Sequence, residues 1–261
     1  MPPFYVITSY QSLLKHFHIL KKEDLILTRI PIRKDNFHLI FDLRERGVLS
    51  YPSFLSQILS HSKVAQAEIL REFMLPHTYV IKSKVMFLEV MEVLSSCKGF
   101  ITKQDFANCG LGVFFWRDLE EIFRAAGTEL LPFPFVLQPF FENWKDIRVI
   151  LLGDTYCEAY LRENTKNFRQ NLFFGGIAKP YNLSEKELSF CKAVMERGGF
   201  PYAHLDIAYI DGEGPFLSEI NLKGGLKGAK IKERDYEGII KTLRDKFFEN
   251  WKKTHYPCEI L

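Results

Sequence analysis

No two of the five cysteines, Cys97, Cys109, Cys157, Cys191 and Cys258, form a Cys-x-x-Cys pair. Such wide spacing fits reduced thiols better than a disulfide frame or a zinc site. The seven histidines include no His-Glu-x-x-His, and Gly-x-Ser-x-Gly is also missing. Metalloprotease and serine-hydrolase chemistry therefore have no motif to rest on. An excess of one charge is lacking too, since 35 basic residues against 32 acidic ones leave +3. An obligatory nucleic-acid binder concentrates far more positive charge. No apolar run approaches the roughly 18 residues of a membrane span, and Met1 to Gln11 has neither the basic start nor the apolar core of a signal peptide. The expectation is a cytoplasmic protein that engages neither nucleic acid nor membrane.

What is present is a chain of 261 residues, 47% hydrophobic, long enough for one large or two to three small units with a real core. Phe4 to Thr8, Gln11 to Leu20, Leu25 to Arg29 and Asn36 to Arg46 read as strand, helix, strand and helix, with Gly47 as a C-cap. That layer is too short for a full Rossmann unit, and no Gly-x-Gly-x-x-Gly opens either helix. Ser62 is a candidate N-cap for a helix from Lys63 to Phe73. A strand over Tyr79 to Lys82, a helix over Met86 to Ser95, and strands over Gly99 to Lys103 and Val113 to Trp116 follow, the last two joined by a turn with Gly110 and Gly112. After a helix over Leu119 to Ala126, Pro132-Phe133-Pro134 reads as a linker. Phe135 to Phe141, Asp146 to Leu152 and Thr155 to Arg162 then form an expected antiparallel meander. Ser184-x-x-Glu187 is a capping box, and a last amphipathic helix runs from about Arg234 to Lys253.

The stretch with most chemistry is Ala203 to Ile231. Leu205 to Ile210 and Phe216 to Ile220 read as a β-hairpin joined by Asp211-Gly212-Glu213-Gly214-Pro215. Side chains alternate along a strand, so Asp206 faces with Ala208 and Ile210, and Glu219 faces with Asn221. Two carboxylates and a carboxamide without nearby Cys or His suit magnesium or manganese. An ordinary hairpin with polar residues on its wet face is the competing reading. Gly224, Gly225 and Gly228 follow, interleaved with Lys223, Lys227 and Lys230. The lysine ending the strand at Lys103, with the glycines after it, is a second place where phosphates could be held, or an ordinary wet strand end.

Taken in order, Lys63, Lys103 with Gly110-Leu111-Gly112-Val113, Gln138-Pro139-Phe140, Asp146-Ile147-Arg148, Phe168-Arg169-Gln170-Asn171-Leu172 with Gly175-Gly176, Asp206, Glu219-x-Asn221 and Gly225-Leu226-Lys227-Gly228 resemble the ATP-grasp superfamily, and within it the RimK-type ligases. The resemblance covers roughly Arg46 to Ile231. It implies an α+β fold in which two lobes grip ATP behind a shortened amino-terminal α/β domain. The corresponding divisions are 1–60 for that domain, 61–132 for the small lobe with a lid loop, and 133–261 for the large lobe with the metal site.

The same resemblance implies an ATP- and magnesium-dependent (or manganese-dependent) carboxylate-amine ligase acting through an acyl phosphate. Its partners would be ATP, a carboxylate acceptor and an amino-acid amine donor; a homo-oligomer is left open. Asp206, Glu219 and Asn221 would hold metal. Lys63 and Lys103 would meet the nucleotide phosphates beneath a lid carrying Gly110 and Gly112. Gln138, Pro139 and Phe140 would form the hinge at the adenine, with Asp146 or Glu142 near the ribose or the adenine edge. Arg148, Arg169 and Asn171 would stabilise charge at the reacting groups, a task that suits a planar guanidinium. Three features depart from the pattern: Ala107 and Asn108 in the lid, Pro139 without an N–H in the hinge, and the short amino-terminal layer. A degenerate nucleotide-binding module and a phosphotransferase using the same nucleotide site are the alternatives.

Overall fold

The computed structural model describes residues 3–33, 35–107, 111–164 and 175–261. The first part of the chain runs β1 (Phe4–Ile7), α1 (Tyr10–His16), β2 (Leu25–Ile26), α2 (Phe37–Glu45), β3 (Leu49–Ser50), α3 (Phe54–Leu59) and α4 (Lys63–Ile69). It continues with β4 (Tyr79–Ile81), α5 (Lys84–Val93), β5 (Phe100–Gln104), β6 (Val113–Trp116), α6 (Leu119–Gly127) and β7 (Phe135–Pro139). The remainder comprises β8 (Trp144–Leu152), β9 (Tyr156–Glu163), β10 (Ile177–Tyr181), α7 (Glu185–Gly198), β11 (Tyr202–Ile210), β12 (Glu213–Asn221), α8 (Glu233–Lys252) and β13 (Cys258–Ile260). Among these described residues no helix is long and apolar enough to cross a membrane.

Three sheets result. The first, ordered β13-β1-β2-β3, is parallel throughout, as helical crossovers between its strands require. The anticipated helix over 11–20 is shorter: Ser9 caps α1 by accepting from Ser12 N, and a 3-10 turn, Phe17–Ile19, completes the segment. Strand β13 pairs with β1 from the far end of the chain, Phe4 opposite Cys258, so the layer is wider than residues 1–60 alone supply. Trp251 of α8 packs with Val6, Leu25 and Leu27 beside that joint.

The second sheet, β4-β7-β5-β6, is antiparallel, and α5 and α6 cover it with a core that includes Phe87, Ile122 and Phe135. Strand β7 is an inner strand here. The expected meander beginning at Phe135 is therefore corrected: it begins at β8, and the turn after β7 leads into a different sheet. Five residues of unbroken burial, Phe135 to Pro139, are a pattern that cannot say which sheet receives them.

The third sheet, β10-β9-β8-β11-β12, is also antiparallel. Its hairpin turn is tighter than anticipated, with only Asp211 and Gly212 at positive φ (49° and 87°) before β12 begins at Glu213. An Asp-Gly pair in this conformation matches the twist of the flanking strands. Alternation along β11 sends Ala203, Leu205 and Ile207 into the core under α7, where Cys191, Val194 and Met195 wait. The other face carries His204 and Asp206, which are buried as well. The capping box Ser184/Glu187 is formed in full, and Gly199 closes α7 in the left-handed conformation.

Strand β12 is an edge strand, and α4 covers it. Gln66 Oε1 accepts from Ile220 N at 3.0 Å, while Gln66 Nε2 donates to Ile220 O at 2.9 Å and to Leu59 O at 2.6 Å. A side-chain amide thus imitates a neighbouring strand at the residue between Glu219 and Asn221. Replacing Gln66 by Leu strands three buried backbone groups, so denaturant unfolding is expected to show a loss of about 2–4 kcal/mol. An unchanged unfolding midpoint would show that the edge is satisfied some other way.

Candidate active site

Register brings one set of side chains together on one face of the third sheet. Asp206 lies opposite Glu219 on β12 and opposite Arg148 on β8, and His204 lies opposite Asn221. Asp146 lies opposite Arg162 on β9. Asp206 is the shared element of the cluster. Arg148 donates to it through Nε and, at 2.8 Å, through Nη2, and Arg162 Nη2 approaches its Oδ2 at 2.9 Å. Arg162 also grips Asp146 with two bonds, of 2.7 and 2.9 Å. Burial alone raises the Asp206 carboxyl, but Arg148 and Arg162 outweigh it and hold Asp206 well below the usual carboxylate range. For Asp146 burial wins, aided by the neighbouring Asp206 charge and opposed by Arg162, so its titration is displaced upward.

Two lysines reach the same place from the second sheet and from α4. Lys103 Nζ donates to Ser218 O at 3.2 Å. Burial and the nearby Lys63 push its ammonium down to about 8, against the opposing pull of Glu219 and the two aspartates. Lys63 Nζ donates to Ala107 O at 2.5 Å and stands 3.8 Å from Glu219 Oε1. Burial would raise Glu219, yet Lys63, the Asn221 hydrogen bond and Lys103 together hold it below its ordinary value. Four cations, Lys63, Lys103, Arg148 and Arg162, therefore face three carboxylates, and the surplus suits a polyanion.

The predicted residues divide as follows. Lys63, Lys103, Arg148, Asp206, Glu219 and Asn221 converge. Gly110, Arg169 and Asn171 lie outside the described residues. Gly112 has a packing reason for being glycine, since a Cβ there would come within 2.3 Å of the Ala107 Cβ. Gln138 is buried and donates from Nε2 to Thr78 Oγ1 at 2.7 Å, Pro139 pairs with Phe100 in the sheet, and the Phe140 N–H is taken by Gly99 O at 3.0 Å. The Phe140 amide is thus already engaged within the sheet, and Pro139 has no N–H to offer. Both Asp146 oxygens are engaged by Arg162, as both Asp206 oxygens are engaged by Arg148 and Arg162.

Arg162 is the residue that reading the sequence missed. The signal was present as Asp146-x-Arg148 on one strand with Arg162 on the next, a charge alternation that only makes sense if the face is buried and paired. Within the glycine run, the particular need for a bare Cα at Gly224 was missed too. A Cβ at that position would meet His204 Nδ1 at 2.6 Å and Arg148 Nη1 at 3.0 Å, whereas one at Gly225 would meet nothing within 4 Å. Of the two adjacent glycines, Gly224 lets the loop close on the cluster.

The donor chemistry fits a hard divalent cation through part of the expected set. Asn221 Nδ2 donates to Glu219 Oε1 at 2.8 Å, so the carboxylate and the carboxamide are in contact on the face that Lys63 reaches. Asp206 joins them only by exchanging a guanidinium, and among the described residues no group of three His, Cys, Asp or Glu side chains is assembled for a metal.

The model of the RimK-like ATP-grasp domain matches residues 56–241, well over half of the chain. The chain belongs to this family. A probable alpha-L-glutamate ligase of Trichodesmium erythraeum (strain IMS101) is 32% identical over 127 residues, which make up 46% of this chain and 41% of that protein. A probable alpha-L-glutamate ligase 2 of Shewanella amazonensis is 32% identical over 87 residues, 33% of this chain and 29% of its own length. These alignments thus span less than half of the curated relatives. Among solved structures, D-alanine–D-alanine ligase from Bacillus anthracis superposes with a TM-score of 0.61 at 15% identity, covering 98% of this chain and 99% of that one. D-cycloserine synthetase DcsG gives 0.60 at 12% identity, covering 96% and 100%. These likenesses show the ATP-grasp fold. The same Bacillus anthracis ligase has also been solved with ATP and superposes at 0.59.

Lys103 yields a pH prediction. With its ammonium at about 8, it loses its proton, and with it its attraction for an anion, as pH rises through that value. The expected outcome is that kcat/KM for ATP, which reports the free protein, falls above about pH 8. Lys103→Arg, whose guanidinium stays charged, is expected to move the fall beyond about pH 10. A wild-type profile flat to that pH would contradict the assignment.

Proposed function

We propose that this chain is an ATP-dependent carboxylate-amine ligase that works through an acyl phosphate. The observation that carries the reading is the convergence of Lys63, Lys103, Arg148 and Arg162 on Asp206, Glu219 and Asn221, within a chain of the RimK-like family. The sheet of β4 to β7 with its helices serves as the small lobe, and the sheet of β8 to β12 as the large one, with the nucleotide between them.

In the proposed reaction a carboxylate oxygen attacks the γ-phosphorus of ATP, and the bond to the departing ADP breaks. The amine then attacks the acyl carbon, phosphate leaves with the carbon–oxygen electron pair, and the amine gives up a proton. Positioning and charge neutralisation supply most of the catalysis in the first step. Lys63 and Lys103 would lie along the phosphates, with Arg148 near the transferred group and Arg162 fixed behind it by Asp146. Glu219 and Asn221 would hold a magnesium ion, joined by Asp206 if it releases a guanidinium. Bound there, magnesium would neutralise charge on the phosphate oxygens. Arg169 and Asn171, outside the described residues, complete the proposed set.

The amine is proposed to be an amino acid, because the curated relatives are named as glutamate ligases. Glu219→Gln keeps the shape of the side chain and removes its charge. It is expected to reduce magnesium-dependent turnover by roughly a hundredfold or more while part of the nucleotide affinity survives. The assay is release of ADP and phosphate across a panel of carboxylates and amines. Full activity in the variant contradicts the metal assignment, a phosphorylated product without free phosphate indicates a phosphotransferase, and binding without turnover across the panel indicates a degenerate module.

A further inference from the structure

Further along the same face of β11, past His204, lies a pocket of about 160 Å³ that the proposed reaction does not use. Tyr202 and Tyr236 are buried in its wall, and Arg29, Lys223, Lys241 and Arg244 surround them. Four elements meet here: the segment after β2, the start of β11, the loop after β12 and helix α8. Against four cations the lining has one carboxylate, Glu237, whose Oε1 stands 3.8 Å from Lys223 Nζ. Arg244 finds Asp245 at 3.6 Å, outside the lining. Among the described residues neither Arg29 nor Lys241 has a carboxylate within ion-pairing distance, and both are exposed. A concave site with a net charge of three positives suits a small ligand bearing at least two negative charges.

The wall is anchored to the candidate active site. Tyr236 Oη lies 3.0 Å from His204 Nε2 and donates to Leu222 O at 3.5 Å. Tyr202 is four residues from Asp206, so the two sites lie roughly 13 Å apart along the strand. Lys223 lies in the pocket and follows Asn221 by two residues.

We propose that this pocket is an anion subsite that takes a non-reacting, multiply charged carboxylate end of the acid substrate, with Arg29 and Lys241 as its free cationic contacts. The assignment of the anion to the acid substrate rests on the ligase reading; the anion subsite itself does not. The test is calorimetric titration of the full chain, without nucleotide, with glutarate, its uncharged diamide glutaramide, and inorganic phosphate. The same titrations are run on the Arg29→Gln/Lys241→Gln double variant. Among the described residues neither side chain makes a hydrogen bond or ion pair, so the variant is expected to fold, as circular dichroism would check.

Loss of two charge-assisted contacts is expected to weaken glutarate binding by about tenfold or more, with glutaramide binding weaker than glutarate in the wild type. ATP affinity, measured alongside, is expected to be unchanged in the double variant. Equal glutarate affinity in the two proteins, or equal binding of glutarate and glutaramide, overturns the subsite. Tighter binding of phosphate than glutarate overturns its assignment to a carboxylate. Failure of the chain to turn over ATP with any acid would remove the ligase reading and leave these binding results to stand or fall alone.

Discussion

Asp206 caught between Arg148 and Arg162 is the interaction around which the large sheet is arranged. Charges removed from water are tolerable only when paired and hydrogen-bonded, and stripping one partner from such a group typically costs about 3–5 kcal/mol. The quartet with Asp146 is therefore a constraint on register. Shifting β8, β9 or β11 by one residue would send guanidinium and carboxylate groups into the apolar core and leave Ile147, Leu161 or Ile207 facing the site. The face opposite the core under α7 is thus fixed by charge, and the core face by Val149, Leu205 and their neighbours.

Electrostatics then passes outward from that quartet. Asp146 and Asp206 neutralise Arg148 and Arg162 only in pairs, so the site owes its surplus positive charge to Lys63 and Lys103, which arrive from separate parts of the fold. Glu219 answers them and is the most exposed of the three carboxylates, its side chain 31% accessible against 10% for Asp206 and 2% for Asp146. An incoming polyanion would be drawn to that surplus, while the Lys103 ammonium is depressed chiefly by burial, with Lys63 a smaller contribution.

Much of this was readable from residues alone. The hairpin showed in its alternation and its Asp-Gly turn, α7 in its capping box, and the cluster in the spacing of Asp206, Glu219 and Asn221. Other parts were hidden for physical reasons. Two- and three-residue strands such as β3 and β13 are too short for an alternation to be recognised, so they are defined by their partners in the sheet. The sheet to which β7 belongs is decided by tertiary packing, since a strand buried along its whole length presents no wet face to show which side is which. Arg162 was passed over because its role depends on a cross-strand neighbour, Asp146, sixteen residues earlier; within the glycine run, the particular need for a bare Cα at Gly224 was hidden because it arises from His204 on another strand.

The central claim is that Glu219, Asn221 and the surrounding cations hold a triphosphate and its metal on this face of the sheet. A crystal structure of the chain with manganese and a non-hydrolysable ATP analogue tests it most directly, through the anomalous signal of the metal. The account predicts a manganese peak between the Glu219 and Asn221 side chains, with the phosphates running past Lys63 and Lys103. A nucleotide bound elsewhere, or a metal held without either of those two side chains, would contradict it.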